Sequence, residues 1–148
     1  MATMGFRPYP GPIADRITVL PEAATQTFVA GDLVIISSGK VAVMTDDDDI
    51  FGVALNDASG TTDTDVSVYV IHPGDKFIAE ASATTAVSNQ GVAYALVVTS
   101  GSMAVNPGST TTAAFYIDSL DPRDGAHTGS GGRVIGRFIY TSIDGIGG

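Results

Sequence analysis

Apolar residues along this chain come in short runs that are separated by turn residues. The clearest example is "LVIISSGKVAVM", where two apolar runs flank Gly39 and predict a β-hairpin over residues 33–44. Val66, Val68 and Val70 alternate with other residues, as expected for a strand with one buried face. Further strands are predicted at 50–55, 66–72, 76–81, 91–98, 103–105, 113–117 and 133–140. Roughly eight to ten short strands indicate an all-β protein, a compact β-sandwich or β-barrel of antiparallel strands.

The first 27 residues have a different pattern. Four prolines, at positions 8, 10, 12 and 21, fix the backbone and remove amide donors, which disfavours helices and central strands. Phe6, Tyr9 and Ile13 supply apolar side chains to this segment. Two interpretations stand side by side: a disordered tail, or an extended arm laid across a partner. We therefore divide the chain into a Pro-rich arm at 1–27 and one β domain at 28–148, with a flexible loop around 118–132.

Two pairs of segments resemble each other along the sequence. "IISSGKVAV" at 35–43 resembles "VVTSGSMAV" at 97–105, and "IFGVAL" at 50–55 resembles "VIGRFI" at 134–139. Hairpins of similar shape converge on similar residues, and only a handful of positions match. Convergence is the favoured interpretation, and a duplicated β unit is the alternative.

The charge and composition exclude several classes of function. The 148 residues include 16 acidic and 7 basic residues, and the net charge is −9. Such an acidic surface repels phosphate, and the basic residues form no patch, so no nucleic-acid binding is expected. The absence of cysteine removes disulfides and thiolate chemistry. Neither a signal peptide nor an apolar run of membrane-spanning length is present, so no membrane association is expected.

The run Asp46–Asp49 is the most conspicuous candidate for a metal site. A calcium loop that begins at Asp46 would need glycine at its sixth position and glutamate at its twelfth, where this chain has Phe51 and Asp57. Neighbouring aspartates in an extended segment also point to opposite sides. The run is therefore predicted to be a solvated loop between strands, and an adventitious site for a divalent ion is the minority interpretation.

Catalytic motifs are sparse. The two histidines, His72 beside a Pro-Gly turn and His127 in a Gly/Ser-rich loop, are expected to be turn and loop residues. Glu22 and Glu80 are the only glutamates, which leaves few candidates for a paired-carboxylate glycosidase. No nucleophile elbow or phosphate-binding loop is present. We expect a structural or interaction protein that is not an enzyme and has no cofactor, metal or catalytic residue.

One family resemblance emerges from these segments. The Gly31-Asp32 turn, Gly39, the "IFGVAL" segment at 50–55 and the strand Val66–Val70 resemble the small β-rich capsid decoration proteins of tailed bacteriophages, which are also called cement or head-stabilising proteins. The match covers residues 28–80 well and the remainder loosely.

The resemblance implies a virion protein on the outer surface of the capsid, made in the host cytoplasm. Its partners would be the major capsid protein and further copies of itself, in a homotrimer. The protein would stabilise contacts between capsid subunits, and many weak contacts would add up over the shell. The expected partner-binding residues lie in the arm: Phe6, Arg7, Pro8, Tyr9, Pro10 and Ile13.

Two other functions remain open. A carbohydrate- or surface-binding β module, such as a head fibre or adhesin domain, is the runner-up, although the chain has no tryptophan for stacking on sugars. A metal-assisted hydrolase that uses His72, His127 and aspartates is the third possibility.

Overall fold

A computed structural model describes residues 5–45, 50–121 and 132–139. Within these ranges the chain forms eleven strands and two single-turn 3₁₀ helices, Ala14–Arg16 and Val87–Asn89. The strands are β1 (Phe6–Pro8), β2 (Ile17–Pro21), β3 (Leu33–Ser37), β4 (Lys40–Val43), β5 (Gly52–Ala54), β6 (Asp65–Val70), β7 (Phe77–Glu80), β8 (Ala93–Val97), β9 (Ala104–Asn106), β10 (Phe115–Leu120) and β11 (Arg133–Phe138). The predicted all-β fold is confirmed.

The strands form two antiparallel sheets. One sheet has the order β2-β6-β5-β3-β4, and the other has the order β1-β7-β11-β10-β8-β9. All strands predicted from the apolar runs are present, including the hairpin around Gly39. The strands that the pattern missed, β1 and β2, both lie in the Pro-rich segment, whose extended backbone joins the edges of the chain's own two sheets.

The two sheets repeat one topology. Without β1, the second sheet has the order β7-β11-β10-β8-β9. Each strand number minus five gives the strand at the same place in β2-β6-β5-β3-β4. We call β2–β6 the first unit and β7–β11 the second unit. In both units an isolated parallel bridge joins the end of the first strand to the last strand of the sheet order, Glu22 to Val41 in β4 and Ala81 to Val105 in β9, so each sheet curls toward a barrel.

Two backbone hydrogen bonds of the first unit have equivalents in the second unit. The Gly31 amide donates to Ala54 at 2.8 Å, and the Gly91 amide donates to Ile117 at 2.8 Å. Both glycines have positive φ, a backbone conformation that disfavours other residues. Likewise the amides of Ala23 and Ser82 donate to the bridged valines of their own units at 2.8 Å.

This correspondence makes β2–β6 and β7–β11 a structural repeat, but the first pair of similar segments does not follow it. Residues 35–43 and 97–105 overlap the equivalent hairpins β3–β4 and β8–β9 out of register. The strand pairing makes Ile35 equivalent to Ala95, whereas the sequence similarity aligns Ile35 with Val97. The favoured interpretation, convergence, therefore stands for this pair. The second pair, 50–55 and 134–139, covers β5 and β11, which occupy different places in their units. That similarity is therefore convergent.

Two apolar clusters form the core. The smaller cluster fills the first unit around Phe28, Val41 and Val66. The larger cluster fills the second unit and the contact between the units, and it includes the edge-to-face rings of Phe6, Phe115 and Phe138. Strand β6 contributes to both, because Val66 and Val68 face the smaller cluster whereas Tyr69 faces the larger one.

Candidate interaction surface

The Pro-rich segment holds the candidate site, and its residues have very different accessibility. Phe6 is only 1% exposed and packs against Phe115 and Phe138, whose ring centroids lie 5.6 and 5.3 Å away. Its backbone amide donates to Gly31 at 2.9 Å, so β1 also contacts the first unit. In this conformation Phe6 therefore belongs to the chain's own core.

The other predicted partner-binding residues remain on the surface. Arg7 and Pro10 are exposed, and Pro8 and Tyr9 are half-buried. Ile13 is 50% exposed and is one of seven large apolar side chains that are exposed among the described residues. We call these five residues the N-terminal surface: Arg7, Pro8, Tyr9, Pro10 and Ile13.

Polar contacts fix the C-terminal end of this surface. The amide of Ile13 donates to the hydroxyl of Tyr69 at 3.1 Å, and Tyr69 is buried. Arg16 donates to both carboxylate oxygens of Asp75, from Nε at 2.9 Å and from NH2 at 3.2 Å. Such a two-point arginine–carboxylate pair sets orientation as well as distance. The exposed Ile13 is thus held in place, and little conformational entropy would be lost on binding.

Charge reinforces the Arg16–Asp75 contact. Burial raises the pKa of Asp75, but hydrogen bonds from Arg16 and from the His72 amide, together with the nearby positive charge, outweigh it and lower the pKa overall. The hydrogen bond to Asp75 raises the pKa of Arg16 despite partial desolvation. Both side chains therefore carry their charges throughout the physiological range.

Immediately after this surface, β2 presents an open edge. The Glu22 amide donates to Thr64 beside β6, so the alternate residues Ile17 and Val19 point their backbone groups away from β6. Val19 is 55% exposed and Ile17 is also exposed. No charged residue occurs in Ile17–Pro21. The sequence did not predict this edge strand because Pro21 and the preceding prolines disfavour a strand and outweigh the alternation of apolar residues in "ITVLP".

Two buried carboxylates, Glu22 and Asp32, serve the fold. Glu22 accepts hydrogen bonds from the Ser59 amide and hydroxyl, both at 2.9 Å, and from the Gly60 amide at 3.0 Å. Asp32 accepts from the Ser100 hydroxyl at 2.7 Å and from the Gly101 amide at 3.0 Å, which ties the first unit to the β8–β9 connection. These hydrogen bonds hold loops in place and both carboxylates are buried, so neither carboxylate is presented to a ligand.

Metal and histidine chemistry is not evident in the described part of the chain. Residues 5–45, 50–121 and 132–139 contain no group of three or more His, Asp or Glu side chains that could hold a metal ion. His72 occupies the Pro-Gly turn, where its amide donates to Asp75 at 3.1 Å. The Asp46–Asp49 run and His127 lie outside the described residues, so the solvated loop and the adventitious ion site stay predictions.

Comparison with known proteins adds no family assignment. No protein-family model, curated protein or solved structure matches this chain. Among the described residues, no helix has the length and hydropathy needed to cross a membrane.

Proposed function

We propose that this chain is a structural virion protein, a decoration protein that binds the outer surface of a tailed-bacteriophage head as a homotrimer. The N-terminal surface would contact the major capsid protein and stabilise the junction between its subunits. The observation that carries the proposal is Ile13, a half-exposed isoleucine whose backbone is hydrogen-bonded to a buried tyrosine. The family resemblance supplies the identity of the partner.

The physical properties of the chain suit this role. A fixed apolar side chain flanked by prolines binds with a small entropic cost, because its position is set before the partner arrives. A shell carries many copies of each contact, so a modest affinity per site stabilises the whole shell considerably. The net charge of −9 disfavours non-specific association of the free protein.

Point substitutions on the surface test the proposal better than truncation does. Removal of the first 20 residues would take Phe6 out of the core and most of β2 off the edge of its sheet, so lost binding would only report unfolding. Ile13→Asp changes a half-exposed side chain and leaves the core intact. Val87→Asp is the matched control, because Val87 is 73% exposed and lies on the 3₁₀ turn between β7 and β8, outside the N-terminal surface.

The binding partner is the head of the virus that encodes the chain, produced without this gene. The wild-type protein and Val87→Asp should co-sediment with these heads and saturate them at a fixed ratio, whereas Ile13→Asp should bind at least about tenfold more weakly. Equal binding of all three proteins would remove the N-terminal surface from the contact. Absence of binding by the wild type would contradict the decoration role itself.

A further inference from the structure

The repeated topology exposes one difference between the two units, at the outer edge of the first strand. In the second unit, β1 pairs antiparallel with β7, with Phe6 opposite Ala79, Arg7 opposite Ile78 and Pro8 opposite Phe77. In the first unit, the equivalent strand β2 has β6 on one side and no strand along its other side within the described residues. One unit thus has an added strand that the other unit lacks.

The residue equivalences define what this open edge offers. β2 pairs with β6 as β7 pairs with β11, and matching these pairs makes Thr18 equivalent to Phe77 and Val19 equivalent to Ile78. Ile78, beside β1, is 6% exposed, whereas Val19 is 55% exposed. The carbonyl of Lys76 accepts the Tyr9 amide at 3.0 Å, and the carbonyl at the equivalent position belongs to Ile17. The edge therefore offers an acceptor at Ile17, and a donor and an acceptor at Val19, to an antiparallel strand.

The edge has only part of the usual protection. Natural edge strands carry charged residues, bulges or prolines that prevent pairing with another chain. Pro21 has no donor and the Ile17 amide donates to Ala14, but no charged residue lies in Ile17–Pro21. The amide and carbonyl of Val19 therefore face outward with no strand beside them among the described residues. Along β4, the opposite edge of this sheet, the chain's own residues already use the backbone: Ala23 donates to Val41, and Val43 donates to the side chain of Gln26.

We propose that the open edge of β2 pairs with β2 of a second copy of this chain, antiparallel and around a two-fold axis. A second copy fits because its own open edge is the same strand, and around a two-fold axis at Val19 the amide and carbonyl of each Val19 pair with those of the other. In the second unit the other candidate edges are already used, β1 by the Phe6–Gly31 bond and β9 by the Ser82–Val105 bond. The paired edges would join the two five-stranded sheets into one continuous sheet.

Charge predicts how this pairing depends on salt. Each copy carries a net charge of −9, so two copies repel each other at low ionic strength. The paired edge itself is uncharged, so added salt screens the repulsion without weakening the contact. Pairing through β2 should therefore strengthen with salt, whereas an assembly held by ion pairs would weaken.

The test is light scattering of the purified full chain over a concentration series, at 0.05 and about 0.5 M NaCl. Val19→Lys places a charge on the open edge, and Val87→Lys places the same charge on an exposed valine elsewhere. The mass of the wild type and of Val87→Lys should rise with concentration toward twice the mass of Val19→Lys, which keeps the unpaired species, the proposed trimer included. In high salt this rise should occur at lower protein concentrations. Circular dichroism and thermal unfolding establish that both variants are folded.

Hydrogen exchange provides a second, local readout. The Val19 amide should exchange at least about tenfold more slowly at a concentration where the wild type is paired than at one where it is not. Identical masses for Val19→Lys and the wild type at all concentrations would overturn the proposal, as would a Val19 exchange rate that does not change with concentration. Because no capsid enters these assays, their outcome is independent of the decoration role.

Discussion

Gly136 lies directly against the ring of Phe115, and a Cβ on Gly136 would come within 2.8 Å of the ring's Cε2. In the first unit the small and the large residue are exchanged. Gly52 is at the position equivalent to Phe115, and Val68 is at the position equivalent to Gly136. A Cβ on Gly52 would come within 2.7 Å of Val68 Cγ1. Each unit thus places one glycine and one larger side chain at this pair, on opposite strands, and fills a similar volume in two ways.

This relationship predicts a large cost for any side chain at Gly136. An added methyl group would meet both the Phe115 ring and the Tyr116 carbonyl oxygen, and backbone cannot move aside as a flexible side chain does. We expect Gly136→Ala to lower the free energy of unfolding by about 3 kcal/mol in urea denaturation. Gly11→Ala is the control and should change it by less than about 0.5 kcal/mol, because the space around Gly11 is open. A small effect at Gly136 would contradict the packing.

The two units should be coupled energetically through Asp32. Its carboxylate accepts the Ser100 hydroxyl and the Gly101 amide across the contact between the units. Asp32→Ala should cost about 3 kcal/mol, since it removes a buried carboxylate that accepts hydrogen bonds from Val29, Ser100 and Gly101. In a double-mutant cycle, Asp32→Ala and Ser100→Ala should show a coupling of about 1 kcal/mol or more. Strictly additive costs would show that the hydroxyl contact contributes nothing to stability.

Acid should destabilise the protein through Glu22. Burial raises the pKa of Glu22, but the hydrogen bonds from Ser59 and Gly60 outweigh it, and the pKa in the folded protein is lower than the ordinary 4.5. A depressed pKa means that the stabilisation is complete above about pH 4.5 and is lost as the pH falls through the folded-state pKa. Asp75, whose pKa is also lowered, acts in the same direction.

Thermal unfolding between pH 7 and pH 3 measures this dependence. The melting temperature of the wild type should fall below about pH 4.5, and Glu22→Gln should start lower at pH 7 and fall less steeply. Glu80→Gln is the matched control and should follow the wild type, because Glu80 is half-buried whereas Glu22 is fully buried. Parallel curves for the wild type and Glu22→Gln would mean that another group governs the acid response.

The fixed position of the N-terminal surface can be tested at one atom. Tyr69→Phe removes the hydroxyl that accepts the Ile13 amide and retains the ring that packs against Phe77. We expect a loss of about 1 kcal/mol in stability and clearly faster hydrogen exchange at the Ile13 amide. Tyr94→Phe, which removes the hydroxyl bonded to Asn89, should leave Ile13 exchange unchanged. Unchanged exchange in Tyr69→Phe would mean that the hydroxyl does not hold Ile13.

The sequence predicted most of the β architecture because apolar runs and glycine turns are local signals. The hairpin around Gly39 and the alternating valines of β6 are confirmed by the structure. Strands β1 and β2 were not predicted because proline weakens a strand pattern. Proline is tolerated in both strands since they lie at sheet edges.

The candidate surface was less predictable because it depends on contacts between distant residues. Arg16 and Asp75 are 59 positions apart, and no local pattern indicates that they meet. The burial of Phe6 likewise follows from its position between β7 and the first unit, which the sequence does not reveal. The open edge of β2 becomes visible only when the two units are compared strand by strand.

We propose that this chain decorates a phage head as a trimer, and light scattering of the purified protein, followed by co-sedimentation with heads that lack it, is the decisive experiment. We expect a trimeric species at low protein concentration that saturates the heads at a fixed ratio. A monomer that does not bind the heads would rule out the decoration role, and glycan-array binding and metal analysis would then distinguish the carbohydrate-binding module from the hydrolase.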